Sequence, residues 1–94
     1  MVKKYKKKPI PIEALQWTGD NYKEIWDFLK DVSNHYFEET ENDVGDIINE
    51  LYIVTLEGSH KATVGDYIIK GVRGDFYPCK EDIFLETYDE VREK

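Results

Sequence analysis

The sequence predicts a small α+β domain in which an antiparallel sheet of four to five strands packs against two helices. Two stretches carry apolar side chains at helical spacing, and several short segments alternate apolar and polar residues between glycine-containing turns. The 94 residues, of which 40% are hydrophobic and 14% aromatic, suffice for one hydrophobic core. We therefore expect a single domain over residues 1–94, with residues 1–8 as a basic N-terminal arm.

The first strand and the first helix are predicted from residues 10–32. Residues 10–17 alternate, and Pro9 and Pro11, which lack backbone donors, favour an edge position for this strand. Asn21 followed by Glu24 resembles a capping box, and residues 33–34 would end the helix. The helix over residues 21–32 would bury an apolar stripe made of Tyr22, Ile25, Trp26, Phe28, Leu29 and Val32.

The other elements follow from turn residues and alternation. A short strand over residues 35–38 would precede an acidic loop over residues 39–49, and a hairpin would turn at Gly58 and Ser59 between residues 51–57 and 60–64. Strands are expected at residues 67–69 and 75–77, each launched by a Gly-Asp turn, with Pro78 ending the last one. A final helix over residues 82–91 would lie beside the first, with an apolar side formed by Phe84, Thr87, Tyr88 and Val91.

Charge and cysteine content narrow the classes of function. The formal net charge is -7, although residues 1–8 contain five lysines. The rest of the chain is therefore strongly acidic, and this negative charge opposes specific nucleic-acid binding. Cys79 is the single cysteine, which excludes an intramolecular disulfide, and no apolar run has the length of a membrane span or a signal sequence. These features predict a cytoplasmic protein without membrane partners, and they leave the oligomeric state open.

No enzyme or cofactor motif is present in the sequence. A phosphate-binding loop and a spaced set of zinc ligands are both absent, and the acidic loop lacks the alternating oxygen ligands of a calcium loop. We therefore expect no enzyme activity, no cofactor and no metal. An enzyme that used Cys79 as a nucleophile, with His35 or His60 as base, is a remote alternative that requires a thiol pKa well below the usual value.

The leading candidate site is a basic and aromatic segment near the C-terminus. Glycines at positions 71 and 74 allow close approach to the backbone, cations supply charge-assisted hydrogen bonds, and aromatic rings offer stacking surfaces. Such a set suits an anionic, nucleotide-like ligand if the side chains converge. The candidate ligand-binding residues are Tyr67, Lys70, Arg73, Tyr77 and Lys80, with Trp17 as a further wall. The competing interpretation is that the aromatic residues are core and the cations are an exposed hairpin rim.

An acidic row on the first predicted helix is the alternative site. Asp20, Glu24, Asp27 and Asp31 recur at spacings of four, three and four residues, which places them on one helical face. A row of carboxylates can imitate nucleic-acid phosphates and bind a partner protein. A solvated helix face explains the same charges, because exposed helix surfaces are ordinarily charged.

Two stretches of the sequence, YKKKPIPIEALQWTGDN at the N-terminus and GDYIIKGVRGDFYPCK near the C-terminus, together with Ile83, Phe84 and Tyr88, resemble small bacteriophage and prophage proteins. The chain is more loosely similar to the Pro-Gly-Asp-Tyr-Gly class of small proteins, although Val64 and Ile68 stand where that class has Pro and Gly. The resemblance implies an accessory protein in the cytoplasm of a host bacterium. It also implies that the chain binds a host protein or a small anionic ligand of a defence system. The resemblance assigns no catalytic residue.

Overall fold

The computed structural model describes residues 1–91; residues 92–94 of the predicted domain lie outside the described residues. Residues 1–91 form six strands and two helices, which confirms the α+β class. The strands form two three-stranded antiparallel sheets, so the prediction of one sheet with four to five strands is wrong. In chain order the elements are β1 (Glu13–Gln16), α1 (Tyr22–Leu29), β2 (His35–Glu41), β3 (Ile47–Thr55), β4 (Gly58–Ala62), β5 (Tyr67–Lys70), β6 (Phe76–Cys79) and α2 (Glu81–Thr87).

The first sheet has the strand order β1-β5-β6. Strand β1 lies at an edge, as the prolines before it predict, and it pairs with β5 from Glu13 opposite Lys70 to Gln16 opposite Tyr67. Pro78 does not end β6 as predicted, because it lies inside that strand opposite Ile68. Strand β6 forms the other edge of the sheet, where a missing backbone donor is tolerated.

The second sheet has the order β2-β3-β4 and contains most of the segment that was predicted to be an acidic loop. Strand β2 continues to Glu41 and β3 already begins at Ile47. The turn between them is closed by Asn42, whose Oδ1 accepts the backbone N–H groups of Val44 and Asp46 at 3.1 and 2.9 Å. The acidic side chains of β2 are exposed, so they remain in water while the backbone forms a strand.

The β3–β4 hairpin is present, but its turn lies two residues earlier than predicted. Leu56 and Glu57 form the loop, and Thr55 pairs with Gly58 at the start of β4. Gly58 has φ +115°, a conformation that favours glycine.

The core lies between the two sheets and helix α1. Ile25 and Leu29 of the helix pack with Trp17, with Ile68 of the first sheet, and with the inner side chains of the second sheet, which are Leu51, Ile53 and Ala62. Side chains of directly paired residues share a face of a sheet. The face of the first sheet that carries Ile68 therefore faces α1 and the core, and we call it the α1 face.

Helix α1 is shorter than the periodicity predicted. It ends at Leu29, because Lys30 adopts φ +63° and its N–H donates to the carbonyl of Trp26 at 2.8 Å. Val32, which the predicted stripe included, is exposed. The capping box does not form either: the Asn21 side chain accepts the N–H of Thr18 at 2.9 Å and donates to the Gln16 carbonyl at 2.8 Å, so it holds the end of β1 instead.

Helix α2 spans Glu81–Thr87 and lies on the opposite face of the first sheet from α1, not beside it. Its Phe84 stacks on Tyr67 with ring centroids 3.9 Å apart and an interplanar angle of 6°. Because Tyr67 and Ile68 are neighbours in one strand, their side chains point to opposite faces. We call the face with Tyr67, Ile69, Tyr77 and Cys79 the α2 face. No helix within residues 1–91 is long and apolar enough to cross a membrane.

Candidate ligand-binding groove

An open groove of about 930 Å³ lies between the β3–β4 turn and the β5–β6 turn. One wall comes from the end of the β3–β4 hairpin and the other from strand β6 and the turn before it, at residues 71–75. This volume is within the range of ligand-binding clefts. The side chains and backbone that line the groove belong to Ser33, Asn34, Val54, Thr55, Leu56, Glu57, His60, Arg73, Gly74, Asp75, Phe76, Tyr77 and Pro78.

The turn at residues 71–75 places Arg73 at the rim of the groove. The N–H of Gly71 donates to the carbonyl of Asp75 at 2.7 Å, and the N–H of Gly74 donates to the carbonyl of Gly71 at 2.9 Å. Gly74 has φ +84°, which favours glycine at this position. The Gly-Asp pairs predicted to be turns are therefore confirmed as turns, since Gly65 has φ +100° and also comes just before a strand.

Arg73 is the cation of the groove that is available to a ligand. Its side chain is exposed, and it forms no ion pair with any of residues 1–91. A Cβ atom at position 71 would lie 2.7 Å from Oδ1 of Asp75, so that carboxylate is folded back against Gly71. A guanidinium group presents several donors in one plane, which suits phosphate and carboxylate oxygens.

Tyr77 and Phe76 give the same wall aromatic surface. Both residues line the groove, although they are neighbours in β6 and their side chains therefore lie on opposite faces of the sheet, that of Phe76 against Phe28. Burial and the nearby hydroxyl of Tyr88 raise the pKa of Tyr77 above the usual phenol value. A phenol is protonated at neutral pH in either case. Tyr77 thus contributes a neutral ring to the groove that Arg73 also lines.

The other predicted ligand-binding residues lie outside the groove. Lys70 projects from the α1 face into a separate groove of about 590 Å³, where it faces Lys30 and the carboxylates of Glu13, Asp27 and Asp31. Tyr67 is covered by Phe84 on the α2 face, and Lys80 is the N-cap residue of α2. Trp17 is 1% exposed and belongs to the core, so it presents no wall to a ligand. The structure brings together only Arg73 and Tyr77 of the predicted set.

The sequence did not predict the groove wall that lies opposite Arg73. Thr55, Leu56 and His60 come from the β3–β4 hairpin, and His60 is exposed there. The hairpin itself was predictable from Gly58. Its position against β6 was not, because it depends on how the two sheets pack around the core.

The acidic row does not lie on one helix. Glu24 and Asp27 are on α1, whereas Asp20 precedes the helix and Asp31 follows it. Asp20 accepts the hydroxyl of Thr18 at 2.9 Å, and Asp27 pairs with Lys23 at 2.9 Å. Asp31 accepts the N–H and the hydroxyl of Ser33, and these hydrogen bonds lower its pKa. Three of the four carboxylates are thus engaged with neighbouring residues.

The pKa of the Cys79 thiol is shifted in the opposite direction to that of an activated nucleophile. The residue is half-buried on the α2 face, and burial together with Asp66 and Asp82 raises the pKa of its thiol. An activated cysteine instead has a lowered pKa. Among residues 1–91 there is also no group of three or more His, Cys, Asp or Glu side chains arranged to hold a metal ion.

The fold and the groove define this chain as a small two-sheet α+β protein with an open, mixed aromatic and polar cleft. Comparisons with protein-family models, with curated proteins and with solved structures find no match to the chain.

Proposed function

We propose that this chain is a non-enzymatic binding protein that takes an anionic, nucleotide-like ligand in the groove between its β3–β4 and β5–β6 hairpins. The observation that carries the proposal is the pairing of Arg73, which has no ion-pair partner within residues 1–91, with the neutral ring of Tyr77 in a groove of ligand size. The sequence resemblance adds the setting: a phage or prophage accessory protein that modulates host or defence function by capturing such a ligand in the bacterial cytoplasm.

The groove offers a distinct partner for each part of a nucleotide. The guanidinium of Arg73 binds the phosphate, and the ring of Tyr77 supplies a surface for the base, where stacking contributes about 1–3 kcal/mol per base. Thr55 and His60 on the facing wall offer hydrogen-bonding groups to the sugar. Glu57 and Asp75 also line the groove, so ligands with one or two negative charges are favoured over polyanions.

The test is calorimetric titration of the common ribonucleoside monophosphates and of the matching nucleosides without phosphate. Arg73→Ala is expected to weaken binding of the preferred monophosphate about tenfold to a hundredfold, which corresponds to loss of one hydrogen-bonded charge. The nucleoside is expected to bind weakly to the wild type and equally weakly to the variant.

Lys70→Ala is the matched control, because it removes the same charge three residues away but on the α1 face. It is expected to leave the affinity unchanged. Equal effects of Arg73→Ala and Lys70→Ala would show a diffuse electrostatic attraction instead of a site in the groove. Failure of every monophosphate to bind would contradict the proposed ligand class.

A further inference from the structure

The groove that contains Arg73 and Tyr77, which we call the first groove, is continuous with the groove between the end of α1 and the first sheet, which we call the second groove. Three residues line both of them: Asn34, Gly74 and Phe76. Either groove alone, at about 930 and 590 Å³, has the volume of a site for one small ligand. Together they exceed the usual upper limit of about 1,000 Å³, so the cleft has room for a ligand with two parts.

Aromatic rings lie on both sides of the place where the grooves meet. Tyr77 lines the first groove, and Phe28 of α1 lines the second. The ring of Phe76 lies on the α1 face with its centroid 5.4 Å from that of Phe28, at an interplanar angle of 80°. Phe28 and Phe76 are both half-buried, so the second groove has an aromatic wall that remains partly accessible.

Arg73 lies next to the same meeting point. Its neighbour Gly74 lines both grooves, and the guanidinium has no ion-pair partner within residues 1–91. A phosphate bound by Arg73 therefore has the ring of Tyr77 in one groove and the rings of Phe28 and Phe76 toward the other.

The charges of the second groove favour a neutral group over a second phosphate. Two lysines and three carboxylates line it together: Lys30, Lys70, Glu13, Asp27 and Asp31. Such a mixture gives little net attraction for an anion, but it offers both donors and acceptors to a neutral polar group. A nucleobase is neutral and planar and has donors and acceptors along its edges, so it matches this lining and the aromatic wall.

We infer, on the basis of the proposed function, that the ligand is a dinucleotide whose two bases occupy the two grooves and whose bridging phosphate binds Arg73. One base stacks on Tyr77, and the other lies against Phe28 and Phe76. The bases are splayed apart, as is common where proteins bind single-stranded nucleotides. A bridging phosphodiester has one negative charge, which agrees with the one cation, Arg73, among the residues that line the first groove.

The test is calorimetric titration of the full chain with two phosphodiesters that differ only in the second nucleoside. The first set is the four dinucleoside monophosphates with two identical bases, and the second set is the methyl esters of the corresponding nucleoside 3′-monophosphates. The preferred dinucleotide is expected to bind about fivefold to a hundredfold more tightly than its methyl ester, because it stacks a second base. Equal affinities would overturn the inference.

Phe28→Leu locates the second base. This substitution removes the ring from the second groove but keeps an apolar side chain against the core. It is expected to bring the affinities for the dinucleotide and the methyl ester to near equality. Phe37→Leu is the matched control, since Phe37 is also half-buried against the core but lines neither groove. It should retain the wild-type ratio, and a wild-type ratio in Phe28→Leu would overturn the inference.

Amide shifts of the ¹⁵N-labelled wild-type protein keep the test valid if Phe28→Leu folds poorly. The dinucleotide should shift the signals of residues 28–31, whereas the methyl ester should not, and identical shifts with both ligands would overturn the inference. A methyl ester that binds through Arg73 without any gain from a second base would contradict the dinucleotide alone. Failure of both ligands to bind would contradict the proposed function itself.

Discussion

Asp66 holds the end of β1 against the turn that precedes β5. It is 8% exposed, its Oδ2 accepts the N–H of Thr63 at 2.8 Å, and its carbonyl accepts the N–H of Trp17 at 2.8 Å. The second Gly-Asp pair supplies a natural comparison, because Asp75 occupies the same position before β6 but is exposed.

We predict that Asp66→Ala lowers the free energy of unfolding by about 1–3 kcal/mol, since it removes a buried, charge-assisted hydrogen bond. Asp75→Ala is expected to cost less than about 0.5 kcal/mol, as is usual for an exposed side chain. Urea denaturation followed by tryptophan fluorescence measures both. Equal losses would show that the carboxylate of Asp66 has no special role.

His35 makes stability depend on pH. It is 5% exposed, its Nδ1 lies 2.8 Å from Oδ1 of Asn34 and 3.1 Å from the carbonyl of Asp31, and burial lowers its pKa below the usual value. The unfolded chain therefore binds this proton at a higher pH than the folded chain does. Stability is fully present above about pH 6.5 and falls as the pH drops toward the folded pKa.

We predict that the free energy of unfolding decreases as the pH falls below about 6.5, and that His35→Gln flattens this dependence. His60→Gln is the control, because His60 is exposed and its substitution should leave the slope intact. The measurement is urea denaturation at several pH values. A pH dependence that survives in His35→Gln but disappears in His60→Gln would contradict the assignment to His35.

At the scale of single elements, α2 is attached to the first sheet by aromatic contacts and by a hydrogen bond from Gln16 Nε2 to Glu81 Oε2 at 2.7 Å. None of its residues is buried, yet Phe84 stacks on Tyr67 and packs against Tyr88. An aromatic pair of this kind contributes about 0.5–1.5 kcal/mol beyond the area it buries.

We predict that Phe84→Ala releases α2 and lowers the free energy of unfolding by about 1–3 kcal/mol. Leu85→Ala, at a neighbouring position that is 60% exposed, should change it by less than about 0.5 kcal/mol. Hydrogen exchange of the amides in residues 81–87 reads out the release directly. Unchanged protection in Phe84→Ala would mean that other contacts hold the helix.

Local patterns predicted some elements well and others poorly. The edge position of β1 and the two Gly-Asp turns follow from single residues that restrict the backbone. Helix α1 begins where the sequence predicted, but without the predicted capping box. The extension of β2 to Glu41 and the start of β3 at Ile47 were missed, because an acidic composition was taken to favour a loop. An edge strand keeps such side chains in water, so composition does not decide between a loop and an exposed strand.

The candidate site shows what alternation alone could have predicted. Tyr67 and Lys70 are three residues apart in one strand, so their side chains lie on opposite faces and cannot line one site. The contribution of the β3–β4 hairpin to the groove depends on the packing of two separate sheets, which no local spacing encodes.

At the scale of the whole molecule, the acidic and basic residues lie in separate regions. The lysine-rich arm contacts Tyr88 just after α2, the acidic β2–β3 hairpin belongs to the second sheet, and Arg73 is at the rim of the groove. A net charge of -7 conceals these separate regions.

The central claim is that the groove between the hairpins is the binding surface, and nuclear magnetic resonance tests it most directly. Adding the monophosphate that binds best in calorimetry to the ¹⁵N-labelled protein should shift the amide signals of residues 55–60 and 71–78, and these shifts should largely vanish in Arg73→Ala. Shifts confined to the α1 face around Lys70, or an Arg73→Ala protein that responds like the wild type, would contradict the account.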